Sequence, residues 1–167
     1  RPNIPARHSP EEEEKRQFMF DSLVADTSLQ EFLLDQVRLS ELSKDQRPLA
    51  EMIIGNLDDY GYLKTTLEEL AFATSLPLDQ LTQVLTVIQS FHPPGVGARD
   101  LRECLMLQLE RAGRQKTIEY RMVREHMEAL GKRRLPEIAR ALGQNVDEIQ
   151  NAANRIGLLE PRPGRAF

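Results

Sequence analysis

A segment that recurs within one chain constrains the fold more than local propensity does, because both copies must settle into the same local structure. Setting "LEELAFATSLPLDQLTQVLTVIQSFHPPG", from Leu67, above "LPEIARALGQNVDEIQNAANRIGLLEPRPG", from Leu135, aligns them at a constant offset of 68 residues. Leu67 then meets Leu135, Leu70 meets Ile138, Ala71 meets Ala139, Leu81 meets Ile149, Ile88 meets Ile156 and Pro93 meets Pro161. Each copy reads as a short helix, a tight turn and a second helix, closed by a corner rich in Pro and Gly. The second copy has the helix-turn-helix pattern. Ala139 is small enough for close packing, Gly143 follows four residues on at the turn, and Asn145 with Glu148 makes a capping box.

Helical signals also fill the region before the repeat. "SLQE", Ser28 to Glu31, and "SKDQ", Ser43 to Gln46, are capping boxes that satisfy orphan amides at helix starts. Leu29, Phe32, Leu33, Leu39 and Leu42 recur at a spacing that makes an apolar stripe. Pro48 must lie in the first turn of the next helix or kink it. That helix is expected to run through Met52, Ile53 and Ile54 to about Leu57. It stops at "DDYGYL", where Gly61 can take a left-handed conformation. No alternating strand pattern is present, so the fold class is all-α. Two small helical subdomains are expected: an N-terminal helical bundle over 18–114 and a C-terminal three-helix, helix-turn-helix-like unit over 115–167. Residues 1–17, with three prolines and four consecutive glutamates, read as an acidic linker or tail.

Composition narrows the function classes. A chain of 167 residues, 40% apolar, can bury one or two small cores. Runs such as "CLMLQL" are too short to span a bilayer, and no signal-peptide pattern is visible. The chain opens on Arg1 rather than methionine, so a segment of a longer polypeptide is expected. The single cysteine, Cys104, allows no internal disulfide and suits a reducing cytoplasm. It falls among Leu101, Leu105 and Gln108 in a helical pattern and reads as a small buried hydrophobe. Net charge is −4, with 8 Lys+Arg against 16 Asp+Glu in residues 1–95 and 14 against 10 in residues 96–167. The two halves therefore suit different neighbours.

A helix-turn-helix invites a DNA-binding role. Yet the would-be recognition helix, "VDEIQNAANRI", opens with Asp147 and Glu148 against Arg155 alone. Carboxylates held against phosphates repel them and release no counterions. Gln150, Asn151 and Asn154 could read base edges, and "GKRR" could touch a backbone phosphate, so a sequence-specific DNA-binding module stays as the alternative. Enzyme classes find less support. "GVG" lacks the phosphate-loop pattern, Asp58 and Asp59 miss the spacing of a calcium loop, and His8, His92 and His126 have no ligand spacing. No catalytic, cofactor or metal residue can be named. With 5% aromatic residues and no tryptophan, a stacking platform for single strands is also poorly supported.

The stretch "FHPPGVGARDL", residues 91–101, interrupts the helices most sharply. Phe91 is expected to end a helix that Pro93 and Pro94 forbid from continuing. Gly95 and Gly97 permit backbone angles that other residues resist, and Asp100 with Glu103 caps "LRECLMLQLER". Together with "NLDDYGYL" and "LEPRPGRAF", this stretch resembles the core-binding region of the sigma-54 family of bacterial transcription initiation factors, over about residues 18–167. The resemblance implies a non-catalytic, cytoplasmic protein without cofactors that docks on core RNA polymerase, its acidic first half meeting the β flap region. Promoter DNA and an ATP-hydrolysing activator would be engaged through other parts of a full-length factor. It marks Asp59, Tyr62, Pro93, Pro94, Gly95, Val96, Gly97, Arg99 and Asp100 as partner-binding or interface-shaping residues.

Overall fold

The structure, a computed structural model, describes residues 27–167 together with Glu11, Glu12, Glu14 and Lys15. Most of the expected linker over 1–17 and the first part of the expected bundle, residues 18–26, lie outside the described residues. Helix α1 spans Leu29–Leu39, and its first turn is closed by the Ser28 Oγ, which accepts from the Glu31 amide at 3.1 Å. It buries Leu29, Leu33 and Val37, one residue per turn along a single stripe. Leu39 does not join that stripe: it is 89% exposed, because Val37 completes the face and the chain leaves the helix at Ser40. Leu42 returns to the core after the turn.

Helix α2 spans Gln46–Gly55. Ahead of it, Ser43 Oγ accepts from the Gln46 amide and Gln46 Oε1 accepts from the Ser43 amide, both arms of a capping box. Pro48 lies in the first turn, where its missing amide hydrogen costs nothing. The helix ends two residues before the expected Leu57. The Asn56 and Leu57 amides tighten onto Ile53 and Ile54, and Leu57 then forms an isolated antiparallel bridge with Leu63. Gly61, at φ +92°, serves the turn inside that bridge and not the helix end. The bridge is too short to count as a strand, and the described residues are otherwise helical or irregular.

The repeat is visible in the helix boundaries. Helices α3 (Leu67–Thr74) and α4 (Leu78–Ile88) recur as α8 (Leu135–Leu142) and α9 (Val146–Ile156), each bound displaced by the same 68 residues. Both turns pass through a left-handed residue, Ser75 at φ 57° and Gly143 at φ 66°. Leu67 and Leu135, Leu70 and Ile138, Leu81 and Ile149, and Ile88 and Ile156 are buried pairwise. Between the copies lie α5 (Leu101–Arg111), α6 (Ile118–Glu125) and the five-residue α7 (Met127–Gly131), which the sequence pattern does not separate from its neighbours.

Among the described residues two main cores result. The first joins α1 to α4 with Phe91 and Val96, and the second joins Leu105 and Leu109 of α5 to α6, α8 and α9. Each fully buried Leu, Ile or Val contributes roughly 1.5–3 kcal/mol before entropy is counted. Among the described residues no helix is long and apolar enough to cross a membrane.

Candidate functional site

The stretch between α4 and α5 is where the two cores meet. Helix α4 stops at Ile88, three residues before the expected Phe91, as the Gln89, Ser90 and Phe91 amides turn back onto the last carbonyls of the helix. Phe91 itself is buried in the first core. After a cis His92–Pro93 bond, two overlapping turns follow: the Val96 amide donates to the Pro93 carbonyl and the Ala98 amide to the Gly95 carbonyl. Gly95 and Gly97 sit at φ +94° and +81°, where side chains are strained. At Gly95 space is also lacking, since a Cβ would stand 2.7 Å from Cys104 Sγ.

The corner is pinned to the 57–63 turn by two backbone hydrogen bonds. Gly97 donates to the Gly61 carbonyl at 2.8 Å, and Leu63 donates to the Ala98 carbonyl at 2.9 Å. Asp100 Oδ1 then accepts from the Glu103 amide at 2.8 Å and starts α5. The returning arm is shifted by one residue: Glu103 Oε1 accepts from the amide of Arg99 rather than that of Asp100. Arg99 closes the arrangement with its guanidinium on both Glu103 oxygens, at 3.0 and 2.6 Å. Partial burial would raise the Glu103 pKa, but the hydrogen bonds from Arg99 outweigh it and hold the carboxyl below its usual range.

A third stretch closes the site. The chain after α9 runs back as a strap to the first half. Glu160 exchanges two hydrogen bonds with the Gln108 side chain, and the Tyr62 hydroxyl donates to the Pro161 carbonyl at 2.5 Å. Arg162 stacks over the Tyr60 ring at 4.8 Å, the Gly164 amide donates to the Tyr60 carbonyl, and the Phe167 ring lies 5.3 Å from that of Phe32. Gly164 has no room for a side chain, because a Cβ there would meet the Asp59 carbonyl oxygen at 2.4 Å. Tyr62, Ala98 and Cys104 form a small buried cluster of their own at this junction. Burial, then the contact with Cys104, raises the Tyr62 pKa above the ordinary phenol range, and burial raises that of the Cys104 thiol. Neither group is prepared to act as a base or nucleophile.

The sequence-marked residues therefore fall into two sets. Tyr62, Gly95, Val96 and Gly97 are buried and Pro93 is half-buried, so they shape the junction from within. Asp59, Pro94, Arg99 and Asp100 are exposed around it. Sequence patterns alone did not single out Gln108 or Gly164. Gln108 lies at helical spacing from Cys104, a pattern that every helix surface offers. Gly164 has a sequence signal in "PRPGRAF", where the one glycine directly follows a proline in a two-proline turn segment.

One charge of the helix pair α8–α9 is used internally, that of Arg155. Glu119, at the start of α6 and 3% exposed, accepts from Arg155 of α9 at 2.8 and 3.3 Å and from Arg114. Burial would raise its pKa, but the two arginines override it and hold the carboxyl down at about 2. Arg155, the one cation of the would-be recognition helix, is thereby engaged, while Asp147 and Glu148 stay exposed at its start. Gln150 donates to Asn154 along the same helix. Among the described residues no group of three or more His, Cys, Asp or Glu is placed to hold a metal ion.

Residues 19–167 match the family model described as sigma-54 factor, core binding domain. The chain belongs to this sigma-54 core-binding family. It is 39% identical over 141 residues to an RNA polymerase sigma-54 factor of Acidithiobacillus ferridurans, covering 82% of this chain and 30% of that protein. Identity to the sigma-54 factor of Pseudomonas putida is 36% over 147 residues, covering 84% and 30%. To that of Bacillus subtilis it is 31% over 140 residues, covering 84% and 32%. The chain thus spans about a third of the length of the curated bacterial relatives it matches. All three stretches that meet at the junction lie within the matched region.

Proposed function

We propose that this chain is the polymerase-docking part of a sigma-54 type transcription initiation factor, acting without catalysis in the bacterial cytoplasm. Membership of the core-binding family is the observation that carries this. The junction supports it: its polar groups are satisfied by one another and hold geometry, and its buried tyrosine and cysteine are shifted away from reactivity. We further propose that the acidic first half meets the β flap region of the polymerase, and that promoter DNA and an ATP-hydrolysing activator are engaged through other parts of the factor. Asp59, Pro94, Arg99 and Asp100 border that docking face, while Tyr62, Pro93, Gly95, Val96 and Gly97 set its shape. The division at 18–114 and 115–167 is proposed with α5 as a shared element, since its Cys104 packs on Tyr62 and its Leu105 and Leu109 on the second core. The DNA-binding alternative finds no support in a would-be recognition helix whose one arginine, Arg155, is held by Glu119. Pull-down of purified core polymerase by the chain at micromolar concentration is expected; absence of binding there would refute the proposal.

A further inference from the structure

Comparing the two copies of the repeat singles out one position. Leu78 and its counterpart Val146 open the second helix of each pair and are similarly exposed, so exposure there is a property of the fold. Position 140 in α8 carries an exposed arginine, as a solvent-facing helix position ordinarily does. Its counterpart in α3 is Phe72, which is 91% exposed. The segment Leu70–Leu78, "LAFATSLPL", holds no charged residue and bends through Ser75, so Phe72 and Leu78 lie close to the tip of one helical hairpin. Its surroundings are acidic. Glu68 and Glu69 sit four and three residues before Phe72, on the same helix face, and Asp79 follows Leu78. Residues 65–98 contain three acids and no Lys or Arg.

Resting on the polymerase reading above, we infer that the tip of the α3–α4 hairpin is an anchor for core polymerase, with Phe72 entering an apolar pocket rimmed by basic side chains. An exposed aromatic flanked by carboxylates has the character of an interface hot spot, where the ring supplies buried area and the charges supply orientation and rate. A helix surface that needed only water would carry a residue like Arg140.

The test is a titration of fluorescently labelled 167-residue chain with core polymerase, using wild type, F72A, the charge reversal E69K/D79K and the control V146A. F72A is expected to weaken binding at least tenfold with an unchanged melting temperature, since the ring is 91% exposed in the free chain. E69K/D79K is expected to slow association and flatten the salt dependence, and V146A to bind as wild type. If wild type binds but F72A stays within twofold of it, the anchor is refuted while the polymerase reading stands. If wild type does not bind, that reading fails and the anchor with it. A dimer in sedimentation velocity that F72A abolishes would assign the tip to a second copy of the chain and overturn the inference.

Discussion

At the residue scale the junction depends on glycines for two different reasons. Gly95 needs both a positive φ and empty space, so Gly95→Ala is expected to destabilise by about 2–4 kcal/mol, read from denaturant unfolding. Gly97 has a positive φ, but the closest approach to a Cβ there is the Gln89 side chain at 3.2 Å, with Ile88 and Leu85 at an ordinary 3.5 Å, and Gly97→Ala is expected to cost about 1–2 kcal/mol. An equal loss at both sites would contradict the packing at Cys104. Asp100→Ala removes an N-cap and is expected to cost roughly 0.5–2 kcal/mol. Arg99 binds Glu103 at a half-exposed site, where an ion pair contributes roughly 1 kcal/mol or less, so Arg99→Ala should shift the melting temperature only slightly. A loss of polymerase affinity beyond that small shift would assign Arg99 a direct contact.

At the scale of elements the buried Glu119 ties α6 to α9 and to the α5–α6 connection through Arg114. Its folded pKa, about 2, lies below the ordinary 4.5, so the carboxylate form favours the folded state. The resulting stability, roughly 2–3 kcal/mol, is present above about pH 4.5 and is lost as pH falls toward 2. Glu119→Gln is expected to lower stability at pH 7 by about 1–3 kcal/mol and to flatten that acid-side slope, measured by urea unfolding at a series of pH values. A variant with the same slope as wild type would show that other carboxylates carry it. Much at this scale was legible beforehand. The repeat predicted four helices whose bounds recur at one offset, and the caps at Ser28, Asp100 and Asn145 are where the capping patterns put them. Helix ends were less legible, because the closing turns after Gly55 and Ile88 depend on where Leu57 and Phe91 find a core. Leu39 was misplaced for a related reason: periodicity records that a residue is apolar but not whether a neighbour stands opposite. The Glu119 cluster joins residues 36 apart in sequence, and no local pattern announces such a pair.

On the scale of the whole molecule, three stretches far apart in sequence meet: the 57–63 turn and the 91–101 corner are joined by backbone hydrogen bonds, and the strap over 160–167 packs on them. The family resemblance named those stretches, but sequence alone did not place them side by side. Tyr62→Phe removes one hydrogen bond across the junction and is expected to cost about 1 kcal/mol. Gly164→Ala sets a methyl against backbone and is expected to speed hydrogen exchange along 160–167 before it affects either core. Such loosening should weaken polymerase binding only as far as it alters the relation between the two halves. The most direct measurement is the equilibrium affinity of the 167-residue chain for purified core RNA polymerase, set beside its affinity for a DNA duplex across a range of salt. Saturable micromolar or tighter binding to the polymerase, with only weak binding to the duplex, is the expected result. Tight duplex binding that falls steeply with salt, with no polymerase binding, would contradict it.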